Sequence, residues 1–199
     1  MIIFLLSGKR KSGKDYIANL IQTLNPDIGI YRISQPLKIE YALKHNLDLK
    51  QLMSSSEYKE TYRKDMVQYG EEKRKNDPSY FCEKVANSFK NTDQIAMNFI
   101  VDIRRHTDID YFKNKYNDEK NHIVITLRII SDLATRESRG FAFNEEIDNG
   151  ETECDLDDFE FDYVIENYSK DDDTSLEGQF LNIFEAVALD IDNTFEEIE

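Results

Sequence analysis

A chain of 199 residues with 40% hydrophobic and 12% aromatic content is long enough to bury one substantial core, and it reads as a single domain over 1–199. Its net charge of −15 argues against general nucleic-acid or anionic-membrane binding, which needs a positive field over the contact surface. The acid is concentrated at one end: residues 1–90 carry a net +5 and the remainder −20, so a cationic half inside an acidic protein points to a focused anion site.

Residues 2–6 form a continuous apolar run of the kind a buried parallel strand requires. It feeds straight into GKRKSGKD at 8–15, which satisfies G-x-x-x-x-G-K from Gly8 through Gly13 to Lys14. In that pattern the glycines let backbone N–H groups turn toward phosphate oxygens, and the lysine reaches the β- and γ-phosphates. Asp15 stands where Ser or Thr would place a hydroxyl on Mg²⁺. Tyr16, Ile17, Leu20, Ile21 and Leu24 follow at helical spacing, so strand, loop and helix occur in the order a phosphate loop needs, with the helix dipole favouring the anion.

A short strand is predicted at 29–33, then a turn into a helix with Pro36 near its first turn. Residues 57–75 read as one long helix or two abutting ones, with Lys59, Arg63 and Arg74 near whole numbers of turns apart and so on one face. A helix over 79–90 carries Phe81, Val85 and Phe89 four apart, and a strand at 95–101 ends on Asp102, followed by Arg104 and Arg105. A hydrophobic strand ending in Asp is the pattern of the magnesium-organising carboxylate of phosphate-loop enzymes; the competing reading is a cap for a helix at 108–116. A strand at 122–130, a charged segment with Arg136 and Arg139 that suits a lid over about 131–143, an acidic stretch at 148–160, a strand at 161–165 and an acidic amphipathic helix over about 175–199 complete the chain.

Strands alternating with helices at this spacing predict an α/β, three-layer P-loop kinase fold, a central mainly parallel sheet flanked by helices, whose ligands gather at the carboxyl ends of strands. Lys9, Arg10, Lys11 and Lys14 are more cations than a nucleotide loop spends on one triphosphate, which suggests a second anion opposite. The inventory fits transfer between two phosphates, where positioning and charge neutralisation matter more than covalent chemistry. Cys82 and Cys154 are too far apart in sequence to suggest a disulfide framework, and His45, His106 and His122 show no metal-ligand spacing. No apolar run reaches a membrane span and the first strand lacks the basic front of a signal peptide, so a cytosolic protein is expected, with no peroxisomal S-K-L address at residues 196–199.

The chain resembles the animal-type phosphomevalonate kinases in LSGKRKSGKD at 6–15, SQPLK at 34–38, YKETYRKDMVQYGEEKRKNDPSYFC at 58–82, VDIRR at 101–105, SRG at 138–140 and ECDLDDFEFDYVIEN at 153–167. The resemblance implies transfer of the ATP γ-phosphoryl group to 5-phosphomevalonate, with Mg²⁺ as cofactor and both substrates small molecules; the sequence does not fix the oligomeric state, and a monomer is the expectation. It makes Asp15 part of the family's loop rather than a defect. It further implies ATP binding by Gly8, Lys9, Arg10, Lys11, Ser12, Gly13, Lys14, Asp15, Arg136, Arg139, Tyr168 and Gln179. Phosphomevalonate would be received by Lys59, Arg63, Arg74, Arg104, Arg105 and Asn167. Catalysis would rest on Lys14, Lys11, Asp15 and Arg104, and Mg²⁺ would be organised by Asp15 and Asp102. Tyr168 stands where the family usually has histidine, and an acidic insert at 170–173 shifts the register beyond it.

Overall fold

The computed structural model describes residues 1–54, 57–89, 97–116, 122–168 and 175–196, the last segment as backbone alone beyond residue 189. The insert at 170–173, the first two residues of the strand expected at 95 and the final residues 197–199 lie outside the described residues.

Strand β1 (Ile2–Gly8) is followed by α1 (Lys14–Leu24), β2 (Gly29–Arg32), α2 (Ser34–His45), α3 (Leu49–Met53), α4 (Glu57–Asn76), α5 (Tyr80–Ala86), β3 (Met97–Ile103) and α6 (His106–Tyr116). Then come β4 (Ile123–Ile130), α7 (Leu133–Ser138), α8 (Glu145–Asp148), α9 (Glu151–Cys154), β5 (Tyr163–Glu166) and α10 (Leu176–Glu196). The sheet order is β2-β3-β1-β4-β5 with every pairing parallel, so β1 is central and the loop after it opens between the ends of β3 and β4.

A central parallel strand has both faces covered, and Ile3 to Leu6 are each 0% exposed. Phe4 and Leu6 point to one face, where Ile17, Ala18 and Ile21 of α1 and Phe180, Ile183 and Val187 of α10 pack; Phe4 stacks on Phe99 with ring centroids 4.5 Å apart. Ile3 and Leu5 point to the other face, against Phe81, Cys82 and Val85 of α5 and Ile109 and Phe112 of α6. Three layers follow from this alternation, as expected, and each fully buried aliphatic or aromatic side chain contributes about 1.5–3 kcal/mol to holding them. A smaller cluster of Tyr41, Ala42, Leu52 and Met66 fastens α2 and α3 to α4. No described helix is long and apolar enough to cross a membrane.

The sequence left open one long helix or two abutting ones over 57–75, and two differences from its reading bear on the site. The helix from Glu57 runs unbroken through Gly70, which is buried with Leu37 packed at ordinary contact distance beside it. Strand β3 does not end at Val101 but continues through Asp102 and Ile103. The acidic stretch contains one short helix, α9, and another, α8, leads into it, both organised by the cations they face rather than by any apolar stripe of their own.

Candidate active site

Gly8 closes β1 with φ +153°, and a Cβ there would lie 2.7 Å from both the Ile129 carbonyl oxygen and Ser12 Oγ, so only glycine lets the chain turn beside β4. Gly13 stands at the N-terminus of α1 with φ +98°, and no side chain caps that helix end. The leading N–H groups of α1 therefore remain available to an anion. Ser12 Oγ is buried with no hydrogen-bond partner among the described residues, a polar atom held at the loop's inner surface.

Lys14 is 6% exposed. Its Nζ donates to the carbonyls of Gly8 at 2.6 Å and Lys9 at 3.0 Å, inside the curve of the loop. Burial lowers its pKa to about 7, with the nearby Arg104 adding to the fall, while Asp102, Glu153 and Asp15 oppose it. Asp15, on the first turn of α1, keeps an exposed carboxylate whose Oδ1 accepts from Arg32 Nε at 3.2 Å. Lys11 adopts φ +61° and is exposed, without an ion pair among the described residues.

Beside the loop, Asp102 sits on a bulge. Leu6 pairs with Val101 but Ser7 pairs with Ile103, so Asp102 is an extra residue in β3, and it takes φ +68°, a left-handed conformation that Asp tolerates better than most side chains. Its Oδ2 accepts from Ser34 Oγ at 2.7 Å, and Ser34 Oγ accepts in turn from Lys38 Nζ at 3.1 Å. Burial alone would raise the Asp102 carboxyl, but Lys14, Arg104 and Lys38 outweigh it and hold it well below the usual carboxylate range. The cap for α6 is instead Asp108, whose Oδ2 reaches back to the N–H groups of Arg104 and Arg105 at 3.0 and 3.2 Å, one half of a capping box.

The cations expected to meet the acceptor divide into two groups. Lys59 belongs to the site: burial brings its pKa to about 8, helped by Lys38 and Arg63, while Asp102 and Asp15 oppose the fall. Arg63 is held by Glu60 through Nε at 2.5 Å and feels Glu153 and Asp148 beyond it. Arg104 donates to Glu153 Oε1 at 2.5 Å, and Arg105, 6% exposed, is held by Glu71 and Glu151. Arg74, three turns further along α4, donates instead to the buried Asp108 at 2.6 Å, so it supports the arginine pair from beneath through the carboxylate that caps them. Arg74 lies about 16 Å from Arg63 along the helix axis, one turn past the Glu71 that holds Arg105.

The segment expected to form a lid rests against the loop. Arg136 Nε donates to the Arg10 carbonyl at 2.8 Å with its guanidinium 3.9 Å from the Phe141 ring centroid, and Arg139 donates to the carbonyls of Ser12 and Asn167 at 3.2 Å each. Asn167, buried, donates its Nδ2 to the Ser12 carbonyl at 2.9 Å and accepts from Arg139 at its Oδ1, which puts it behind the phosphate loop. Half-buried Tyr168 follows it. Gln179 spends both ends of its amide on the backbone of Glu166, at 2.9 Å each, joining α10 to the end of β5. Lys9 pairs with Asp157 at 2.6 Å and Arg10 with Asp148 at 3.3 Å, so these two loop cations face the acidic segment.

A family model for phosphomevalonate kinase matches residues 6–118, from the phosphate loop through the arginine pair and α6. The phosphomevalonate kinase of Drosophila melanogaster is 43% identical over 170 residues, 84% of this chain and 88% of that protein. The chain belongs to the phosphomevalonate kinase family. Among solved structures it is similar to TT1252 from Thermus thermophilus, at 14% identity with a TM-score of 0.47, covering 96% of this chain and 97% of that one. It is also similar to shikimate kinase from Aquifex aeolicus, at 15% identity with a TM-score of 0.46, covering 96% and 98%.

Membership of the phosphomevalonate kinase family fits a geometry in which a glycine- and lysine-rich loop and a set of cations meet where β1 and β3 end. Lys38 and Ser34 belong to that meeting point although their individual roles were not read from the sequence. The SQPLK segment carried the signal, since Ser34 and Lys38 are four apart and a helix there puts them on one face. Arg128 was missed as well: it lies in a strand, donating to Ser7 Oγ at 2.9 Å and pairing with Asp157 at 3.0 Å, and strand alternation gave no sign of either partner.

Proposed function

We propose that this chain is an ATP-dependent phosphotransferase that forms 5-diphosphomevalonate from 5-phosphomevalonate. An oxygen of the acceptor phosphate attacks the γ-phosphorus of ATP, a new P–O bond forms, and the bond to the β,γ-bridging oxygen breaks to release ADP. A phosphate acceptor is already ionised near neutral pH, its second pKa being about 6, so no side chain has to remove a proton. What the protein must supply is the approach of two like-charged groups, which is a task for fixed cations.

The observation that carries this reading is the convergence of Lys14, Arg104, Lys38 and Lys59 around the Asp102 carboxylate at the ends of two adjacent strands. In this reading residues 8–15 cradle the triphosphate through backbone N–H groups, with Ser12 Oγ and Lys14 Nζ turned to its oxygens. Lys11, exposed and unpaired among the described residues, follows the transferred group. Lys38, Lys59, Arg63, Arg104 and Arg105 hold phosphomevalonate, and Arg74 and Asn167 act from behind them, on Asp108 and on the loop. Arg136, Arg139, Tyr168 and Gln179 form the wall on the nucleotide side. Arginine suits the acceptor because its planar fork binds phosphate or carboxylate in two places and stays charged.

Asp102 and Asp15 fit Mg²⁺: they offer hard carboxylate oxygens on the two sides of the loop, and this ion is commonly held by one or two carboxylates, substrate phosphates and water. When bound, it would neutralise charge on the β- and γ-phosphoryl oxygens. The reading has the protein act as one domain and a monomer, in the cytosol. In a coupled ADP-release assay we expect turnover with phosphomevalonate and none with a nucleoside monophosphate; the reverse pattern would refute the assignment. Lys14→Met should lower kcat by on the order of 10²–10³-fold in the same assay, the loss typical of one preorganised donor at a developing charge.

A further inference from the structure

The acidic segment opposite the phosphate loop contains one carboxylate with an unusual position. Glu153, in α9, is buried, and its two oxygens go to different halves of the site. Oε2 accepts the backbone N–H of Arg10, in the phosphate loop, at 2.9 Å; Oε1 accepts from Arg104 Nη1, in the acceptor pair, at 2.5 Å. The only other acceptor for the Arg104 guanidinium among the described residues is the Thr152 carbonyl at 3.3 Å, which lies in the same short helix. The charge of Glu153 also reaches Lys14, Arg63 and Arg128.

The segment around this carboxylate is tied to the rest of the site at several further points. Asp148 accepts from Arg10 Nη1 and from the Asn144 N–H, Glu151 pairs with Arg105, Asp155 accepts the His106 N–H at 2.8 Å, and Asp157 joins Lys9 to Arg128. These contacts alternate between the loop and the ends of β3 and β4. Glu153 is the member of the set that links a backbone atom of the donor loop to a side chain assigned to the acceptor.

We propose that Glu153 is a positioning residue for phosphoryl transfer, acting through Arg104: anchored on the Arg10 N–H, it holds the Arg104 guanidinium at a fixed distance from the phosphate loop. The inference rests on the acceptor role given to Arg104 above. Its physical content is that an arginine side chain has several rotatable bonds and would wander without a charged partner. A misplacement of about 1 Å at a reacting group can cost on the order of 10²-fold in rate.

Four chains decide it: wild type, Glu153→Gln, Arg104→Ala and the double variant, compared for kcat, KM of each substrate and unfolding temperature. The wild-type rate with phosphomevalonate tests the functional reading by itself, whereas Glu153 is judged from ratios between variants. We expect Glu153→Gln to lower kcat by on the order of 10²-fold while leaving KM for ATP within about twofold, because the loop backbone stays in place. In the Arg104→Ala background the same change should cost less than about threefold, since its object is already gone. Losses that multiply in the double variant, or a rise in KM for ATP equal to the fall in kcat, would overturn the proposal. Should Glu153→Gln not fold, Glu153→Asp takes its place, one methylene too short to span both partners. Failure of both to fold would assign Glu153 to stability alone and likewise overturn it.

Discussion

Asp102 combines two features that usually exclude each other, a left-handed backbone and a carboxylate held among cations. The two can be separated. Asp102→Gly keeps the φ of +68° without strain but removes the charge that offsets Lys14 and Lys38, whereas Asp102→Ala removes the charge and adds the cost of a Cβ in that conformation. Both should lose turnover, and chemical denaturation should find the alanine variant less stable than the glycine variant by about 1–2 kcal/mol. Equal stabilities would mean that the bulge relaxes on substitution. Residue-scale chemistry was the most legible part of this sequence, because a phosphate loop is a contiguous pattern. The Asp102 conformation was not, since nothing in a run of apolar residues ending in Asp marks which one is extra.

At the scale of elements, the phosphate loop depends on a strand far away in sequence. Asn167, just past β5, lies so close to Gly13 that a Cβ on Gly13 would meet its Nδ2 at 2.1 Å. Gly13→Ala should therefore destabilise the fold by more than about 2 kcal/mol, from the clash together with the strain at φ +98°. Thermal unfolding should show part of that loss recovered in Gly13→Ala with Asn167→Ala, because the double variant removes the clash and keeps the strain. Full additivity would place the cost in the backbone alone. The sequence indicated that strand, loop and helix follow one another, and hydrophobic periodicity located most helices. It left α3, α8 and α9 unread, because helices of five and four residues have too few turns to show a stripe. It also grouped Arg74 with Lys59 and Arg63, since helical spacing reports the face of a helix and not how far along it a partner lies.

For the whole molecule, the crowding of cations makes stability depend on pH in an uncommon direction. Burial lowers Lys14 to about 7 and Lys59 to about 8 in the folded chain, from ordinary values of 10.5, so the unfolded chain binds more protons across that interval. Stability then rises with pH from about 7 toward 10, since two lysines outweigh the single thiol whose unfolded value is 9.0. Above this the sign reverses, because burial raises the Cys82 thiol from its ordinary 9.0 and the Tyr41 hydroxyl from 10.0, and each gives up its stabilising contribution as the unfolded chain loses its proton first. Unfolding temperature measured without substrates should pass through a maximum near pH 10. A monotonic fall from pH 7 would show that the lysines do not carry the balance. The net −15 of the chain gave no warning of this, since an acidic total is compatible with a locally cationic centre, and only the division between its two halves pointed there.

The slipped register of β3 bears on how such a site is transplanted. Side chains alternate along a strand, so one supernumerary residue reverses which face every later side chain occupies. Grafting the lysines and arginines onto another phosphate-loop scaffold, even with each side chain copied, would put Ile103 on the wrong face and start the chain toward Arg104 and Arg105 from there unless the additional residue travelled with them. The specification of this cationic site is thus partly a count, one residue more in β3 over 97–103 than in the stretch 2–7 of β1 that it pairs with, and a recombination or design protocol that aligns the two seven-residue strands by length alone would discard it.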